Sequence, residues 1–242
     1  MSIELIALDM DGTLLNSKEE VSAANRQAIN KVRERGVEVV LSTGRHIMTS
    51  REYAKELNLS SYLITVNGSE IWTTKGELID RQLIDLDSIK KLVELNEKYQ
   101  TIAWITSTEN VWRGKFPADL ESHKWLKFGF NTDNQEIKDR ILEELRDNEF
   151  LELSNSSPTN IEINAVGINK ARALEKVCSR MGITLDKVMA MGDSLNDIKM
   201  IEEAGLGIAM GNAQEKVKEA ADWVTNTNEE DGVARAIEHW LL

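Results

Sequence analysis

Cysteine occurs once in this chain, at Cys178, so no internal disulfide is available. Its place on an apolar helix face suits a reduced compartment. Proline is equally scarce, with two in 242 residues, while 41% of the chain is hydrophobic and 29% charged. A disordered chain needs far less apolar material, so an ordinary globular protein of one or two domains is expected. Long hydrophobic runs are missing. The first apolar run ends at Asp9, far short of a signal-peptide core or a membrane span, and Met1-Ser2-Ile3-Glu4 contains no basic segment. No export or anchoring signal is visible, and a cytoplasmic location is the expectation. Basic excess is missing too: the formal charge is −12 and the pI near 4.9. Nucleic acid, which rewards clustered Lys and Arg, is therefore excluded as a general partner. The same negative charge repels a small phosphate ester, so any site for one must supply its own cation.

What is present is a rhythm. Leu5-Ile6-Ala7-Leu8 reads as a strand, and Ala24, Ala28, Ile29 and Val32 then recur at helical spacing up to Gly36. The alternation repeats through Val37 to Leu41, a helix from about Ile47 to Leu57, and Tyr62 to Val66, as expected of parallel βαβ units. Ile71-Trp72 and Leu78-Ile79 flank Thr-Thr-Lys-Gly and read as a hairpin. From about Leu83 to Gly167 the rhythm changes. A helix carries Ile89, Leu92 and Val93, an alternating strand runs from Thr101 to Thr106, a second helix carries Ile137, Ile141 and Leu145, and short strands cover Phe150–Leu153 and Ile161–Ala165. This block reads as an inserted α+β module whose sheet is packed on one face and open on the other. Parallel alternation returns with a helix through Leu174, Val177, Cys178 and Met181, strands at Val188–Met191 and Leu206–Met210, and a terminal helix. There is no internal repeat, Gly/Ser linker or low-complexity run. The expected division is a core of residues 1–82 and 168–242 with an insert at 83–167.

Three polar groups follow apolar strands, which is where open parallel sheets bind ligands. Asp9-Met10-Asp11-Gly12-Thr13 places two carboxylates at i and i+2 before a glycine turn. Alone it is equally a structural turn or a calcium-loop fragment, although the flanking helices of a calcium loop are missing. Ser42-Thr43-Gly44-Arg45 offers a hydroxyl and backbone N–H groups suited to phosphate oxygens. Gly192-Asp193-Ser194-Leu195-Asn196-Asp197 opens a helix, and capping explains one of its polar residues but not the set. His46, His123 and His239 show no ligand spacing, so a histidine-based zinc site is not expected.

The order and spacing of these groups resemble the haloacid dehalogenase-like (HAD) superfamily, and within it the Cof-type hydrolases with an inserted α+β cap of the C2 type. Asp9-x-Asp11-Gly12-Thr13 matches the first motif, Thr43 the second, Lys170 the third, and Gly192-Asp193-x-x-Asn196-Asp197 the fourth. The resemblance implies a Rossmann-like parallel sheet bearing a cap. It also implies a phosphatase of small metabolites, such as a sugar phosphate or a nucleotide or flavin precursor. Asp9 is then the nucleophile, forming a phosphoryl-aspartate, and Asp11 the general acid and base. Thr43, Gly44, Lys170 and Asn196 bind the phosphoryl group. Mg2+ is held by Asp9, the Asp11 backbone carbonyl and Asp193, with Asp197 orienting the groups behind them. The third motif departs from the family where Ala171 follows the lysine in place of a frequent glycine. A phosphomutase of the same superfamily and a non-enzymatic phosphoacceptor module are the alternatives. Within the insert, Trp104 is expected in the core, while Trp112 and Trp125 are left open between core, a partner surface and a substrate contact. No heptad or apolar stripe indicates an oligomeric state.

Overall fold

A computed structural model describes residues 2–242. The chain opens with β1 (Leu5–Leu8), α1 (Ala23–Glu34), β2 (Glu38–Ser42), α2 (Ile47–Glu56) and β3 (Tyr62–Thr65), followed by the hairpin β4 (Glu70–Thr73) and β5 (Leu78–Arg81). Next come α3 (Leu86–Tyr99), β6 (Ile102–Ser107), β7 (Val111–Arg113), β8 (Trp125–Asn131), α4 (Gln135–Leu145), β9 (Leu151–Ser154) and β10 (Asn160–Ala165). The chain ends with α5 (Lys170–Met181), β11 (Val188–Gly192), α6 (Ile198–Glu203), β12 (Leu206–Ala209), α7 (Glu215–Ala220), β13 (Trp223–Val224) and α8 (Gly232–Leu241). These strands form two sheets. One has eight strands in the order β13-β12-β11-β1-β2-β3-β4-β5, parallel from β13 to β3 and antiparallel across β4 and β5. The other has five, in the order β7-β6-β8-β10-β9, and its pairs are antiparallel.

The larger sheet is covered on both faces because its central strands are apolar at every position. On β1, Ile6 and Leu8 join a cluster with Ile29, Leu57 and Ile237 from α1, the end of α2 and α8. Leu5 and Ala7 join the opposite cluster with Leu174, Val177 and Cys178 of α5. With both faces dry, a side chain at a strand's carboxyl end is the first to meet solvent. β1 and β11 run side by side, Leu8 against Met191, so Asp9 and Asp193 emerge together at that edge.

The smaller sheet carries helices on one face only. Ala103, Ile105, Phe128, Phe130, Ile161 and Ile163 pack on Ile89, Leu92 and Ile141 of α3 and α4. Thr106, Lys127, Glu162 and Trp104 alternate with them and face the larger sheet across a cleft. The sequence anticipated the packed face, but the other face is not open as expected: Thr106, Lys127 and Glu162 on it are buried. Nor did the sequence anticipate β7 or β8, because Lys127 and Gly129 interrupt the apolar pattern of the sheet's central strand.

Candidate active site

Asp9 is 4% exposed and stands at the end of β1, where its N–H donates to Met191 O at 3.0 Å. Its Oδ1 accepts from Lys170 Nζ at 2.5 Å, and the same ammonium donates to Asp197 Oδ1 at 2.7 Å. Lys170 is the first residue of α5, and Asn169 caps that helix by accepting from Arg172 N at 3.0 Å. The cap therefore fixes the direction in which the lysine leaves the helix. Burial raises the Asp9 carboxyl well above the ordinary 3.8, Lys170 pulls it down, and Asp197 and Asp193 push it up again. Burial disfavours the Lys170 ammonium, but the Asp197 and Asp9 carboxylates outweigh it and hold its pKa above the ordinary value. The lysine thus stays charged against the carboxylate.

Asp193 is the counterpart at the end of β11. Its Oδ2 accepts from Ser194 Oγ at 3.0 Å, while Oδ1 is buried without a partner. Burial, with Asp197 next, pushes this carboxyl up to about 7. Asp197 is committed differently: Oδ1 takes Lys170, and Oδ2 accepts from the backbone N–H groups of Asp193 and Ser194, each at 3.1 Å. Asp9, Asp193 and Asp197 offer oxygens within 4.8 Å of one another. With Asp197 spent on holding Lys170 and the turn, Asp9 and Asp193 remain as hard oxygen donors that fit a divalent cation, and the orphaned Asp193 Oδ1 has a lone pair to give. Gly12 makes the arrangement possible. Its φ is +79°, and a Cβ there would stand 2.6 Å from Asp193 Oδ2.

Asp11 points the other way. Arg45 clamps it, with Nε donating to Oδ2 at 2.8 Å and Nη2 to Oδ1 at 2.5 Å, and Arg45 also lies 3.2 Å from Glu19. That bidentate bond chiefly holds the Arg45 pKa above its ordinary value. Thr43 is 1% exposed. Its Oγ1 accepts from Arg45 N at 3.1 Å, and its carbonyl accepts from Asn67 N at 3.0 Å, which folds the loop after β2 into a tight cradle. Asp9, Asp11, Gly44, Asp193 and Asn196 line one cleft of about 820 Å³, with Lys170, Thr43 and Asp197 buried behind them. The structure therefore gathers every residue that the motifs singled out. Asn196 makes a further contact, donating from Nδ2 to Asn67 Oδ1 at 3.2 Å.

Residues 6–117 and 114–237 match the family described as haloacid dehalogenase-like hydrolase. The chain is a haloacid dehalogenase-like hydrolase. It is 57% identical over 242 residues to the 5-amino-6-(5-phospho-D-ribitylamino)uracil phosphatase YcsE of Bacillus subtilis, covering 100% of this chain and 97% of that one. It is 31% identical to Phosphatase YwpJ of the same organism, over 99% of this chain and 100% of the relative. Among solved structures, a haloacid dehalogenase-like hydrolase from B. subtilis superposes with a TM-score of 0.91 at 28% identity, covering 99% of this chain and 100% of the other.

In this hydrolase the far wall of the cleft comes from the five-stranded sheet, and its polar residues were not singled out in the sequence. Lys127 Nζ donates to Gly44 O at 2.8 Å and to Glu162 Oε1 at 3.1 Å. Asn67 Nδ2 donates to Glu162 Oε2 at 2.7 Å and to Asn164 Oδ1 at 3.2 Å. Asn164 Nδ2 donates in turn to Val66 O at 3.0 Å and Ser69 Oγ at 2.9 Å. Burial raises the Glu162 carboxyl, but the Lys127 charge and these hydrogen bonds prevail and hold it below the ordinary range. The turn that presents Asn67 is left-handed at both Val66 (φ 51°) and Asn67 (φ 60°), a conformation costly for a β-branched valine. Its clue in the sequence was Asn67-Gly68.

The assignment of one tryptophan is corrected. Trp104, expected in the core, lines the cleft and is half-buried. Trp125, left open between core and contact, is 2% exposed and donates from Nε1 to Leu120 O at 2.9 Å. Trp112 packs edge-on against it at 5.5 Å on the helix-covered side. Period-2 alternation decides two of them: Trp104 shares a face with Thr106, and Trp112 pairs with the inward-facing Ile105, whereas Trp125 falls out of step with Lys127 because the register shifts between Thr106 and Ser107 and pairs it with Ser107. Among the described residues no helix is long and apolar enough to cross a membrane.

Proposed function

We propose that this hydrolase is a phosphatase whose nucleophile is Asp9 and whose substrate is 5-amino-6-(5-phospho-D-ribitylamino)uracil, a flavin-precursor phosphate. The observation that carries the chemistry is the buried Asp9, ion-paired to Lys170 beside an Asp193 oxygen that has no partner. The substrate rests on the named activity of the 57% identical relative and on a cleft of about 820 Å³, a size suited to a single metabolite.

In this reading the Asp9 carboxylate attacks phosphorus. The bond to the ribityl oxygen breaks, and Asp11 gives that oxygen its proton, leaving an acyl phosphate on Asp9. Asp11, now a carboxylate, takes a proton from water as the water oxygen attacks the same phosphorus. Asp9 is released with inorganic phosphate. For this, Asp11 must leave the Arg45 clamp or share it with substrate. Lys170 and the Thr43–Gly44 loop hold the phosphoryl oxygens, Asn196 orients its neighbours, and Asp197 holds Lys170 in place. Asp9, the Asp11 carbonyl and Asp193 would hold Mg2+, whose charge would offset repulsion between the phosphate and these carboxylates. Residues 83–167 act as a cap that selects substrate, and 1–82 with 168–242 perform the chemistry. The test is release of inorganic phosphate from that ester by the wild-type enzyme with Mg2+, against Asp9→Asn. Rapid release by the variant, or none by the wild type from any phosphate ester, overturns the reading.

A further inference from the structure

One row of residues runs straight across the five-stranded sheet. Arg113 on β7 pairs with Trp104 on β6, Trp104 with Gly129 on β8, and Gly129 with Glu162 on β10. All four lie on the face turned toward the cleft. A Cβ built on Gly129 would lie 2.1 Å from Trp104 Cζ2, 2.2 Å from Cε2 and 2.5 Å from Cη2. A point nearly equidistant from three atoms of one ring lies over its face, since an edge-on ring presents one atom much nearer than the rest. The indole therefore lies flat on the sheet, over the one position in the row without a side chain.

One face of the ring is spent on the Gly129 backbone. Trp104 nevertheless lines the cleft, so the other face is available to a ligand. Beside it, Arg113 is exposed and also lines the cleft. A guanidinium only donates hydrogen bonds, so what it recognises must carry acceptors, such as ring carbonyls. The opposite flank is closed, because both oxygens of Glu162 are already taken by Lys127, Ser156 and Asn67. The platform is also set back from the phosphate end. Lys127, which touches Gly44 O, is two residues along β8 from Gly129, about 7 Å for an antiparallel strand.

We propose that Trp104, laid flat on Gly129 and flanked by Arg113, is the subsite that stacks a planar, carbonyl-bearing ring joined to the phosphate by a linker of several bonds. For the pyrimidinedione named above this deepens the proposed function and rests on it. The subsite itself requires only a planar ring at that distance. Stacking a base on an aromatic side chain is worth about 1–3 kcal/mol by alanine substitution, or roughly 5- to 150-fold.

The experiment compares kcat/KM for 5-amino-6-(5-phospho-D-ribitylamino)uracil with that for ribitol 5-phosphate, which has the same chain and no ring. The wild-type enzyme should favour the first, and Trp104→Ala should lower that ratio about 10- to 100-fold, mostly through KM. Trp104→Phe should restore most of it. Gly129→Ala, which tips the ring off the strand, should lower it as Trp104→Ala does. Trp112→Ala, on the helix-covered side, should leave it unchanged. A Trp104→Ala variant with the wild-type ratio overturns the platform. If the wild type instead prefers another planar ester, the proposed substrate fails, and the platform survives only if Trp104→Ala costs that ester the same factor against its ringless analogue. A wild-type preference for ringless esters overturns the platform outright.

Discussion

The two sheets hold buried charge in different ways. In the parallel sheet Lys170, Asp9 and Asp197 are gathered at strand ends around one ammonium, and one carboxylate oxygen nearby, Asp193 Oδ1, is left without a partner. In the antiparallel sheet Lys127 and Glu162 meet mid-strand, and every oxygen of Glu162 has a donor. The difference separates work from fastening. An unsatisfied buried carboxylate is a place for a ligand, whereas a satisfied buried pair closes a seam and is costly to break from either side.

The sharpest break of this comparison is Asp9→Asn. The amide keeps the shape and loses the proposed nucleophile, so phosphate release should fall roughly 10⁴-fold or more while circular dichroism stays unchanged. Next is the seam. Lys127→Met leaves Glu162 buried against no cation, at a cost of about 3–5 kcal/mol, and Lys127→Met with Glu162→Leu should recover part of it. Hydrogen exchange should show faster opening in β8 and β10 while β1 and β11 keep their protection. Equal effects in both sheets would mean that the seam does not fasten the smaller sheet.

A subtler comparison lies within the fourth motif. Asp193→Ala should weaken Mg2+ binding about 100-fold, and Asn196→Ala less, since the asparagine amide is engaged with Asn67 rather than offered to an ion. Calorimetric titration showing the reverse order would remove Asp193 as a ligand. The smallest effect concerns pH. The Asp193 carboxyl titrates near 7 in the folded protein against an ordinary 3.8, so the metal-free native state holds an extra proton between those values. Stability of the metal-free protein should therefore fall as pH rises from about 4 to about 7. Metal needs the deprotonated carboxylate, so the gain in Tm on adding Mg2+ should be larger at pH 8 than at pH 5. A gain independent of pH would detach Asp193 from metal binding.

Apart from Lys170, which opens α5, the sequence disclosed the core and its motif residues because they lie within a few positions of a strongly apolar strand. Asp9 follows Leu5–Leu8, and Asp193 follows Val188–Gly192. The smaller sheet was legible only in part. Its helices and the strands β6, β9 and β10 carry readable patterns, but β8 places Lys127 and Gly129 at buried positions, which reads as a broken strand. Both departures have a physical cause that the chain reveals only when folded: the lysine reaches Gly44, and the glycine makes room for Trp104. Arg45 was visible as part of Ser-Thr-Gly-Arg, but its partner Asp11 is 34 residues away. Glu162 had no local signal at all, because its donors come from Asn67, Lys127 and Ser156.

The left-handed turn at Val66 and Asn67 bears on how freely such enzymes can exchange parts. A valine at φ 51° stores about 1–3 kcal/mol of strain, and what holds it there is reciprocal: Asn164 takes the Val66 carbonyl, and Glu162 takes the Asn67 amide. A chimaera that grafts a foreign insert between residues 82 and 168 therefore inherits a sprung loop. Without an acceptor where Glu162 stands and a donor where Asn164 stands, Val66 is free to relax toward the extended region. Asn67 then swings away from Asn196, and the transplant disturbs the metal-side loop although no residue of that loop has been changed.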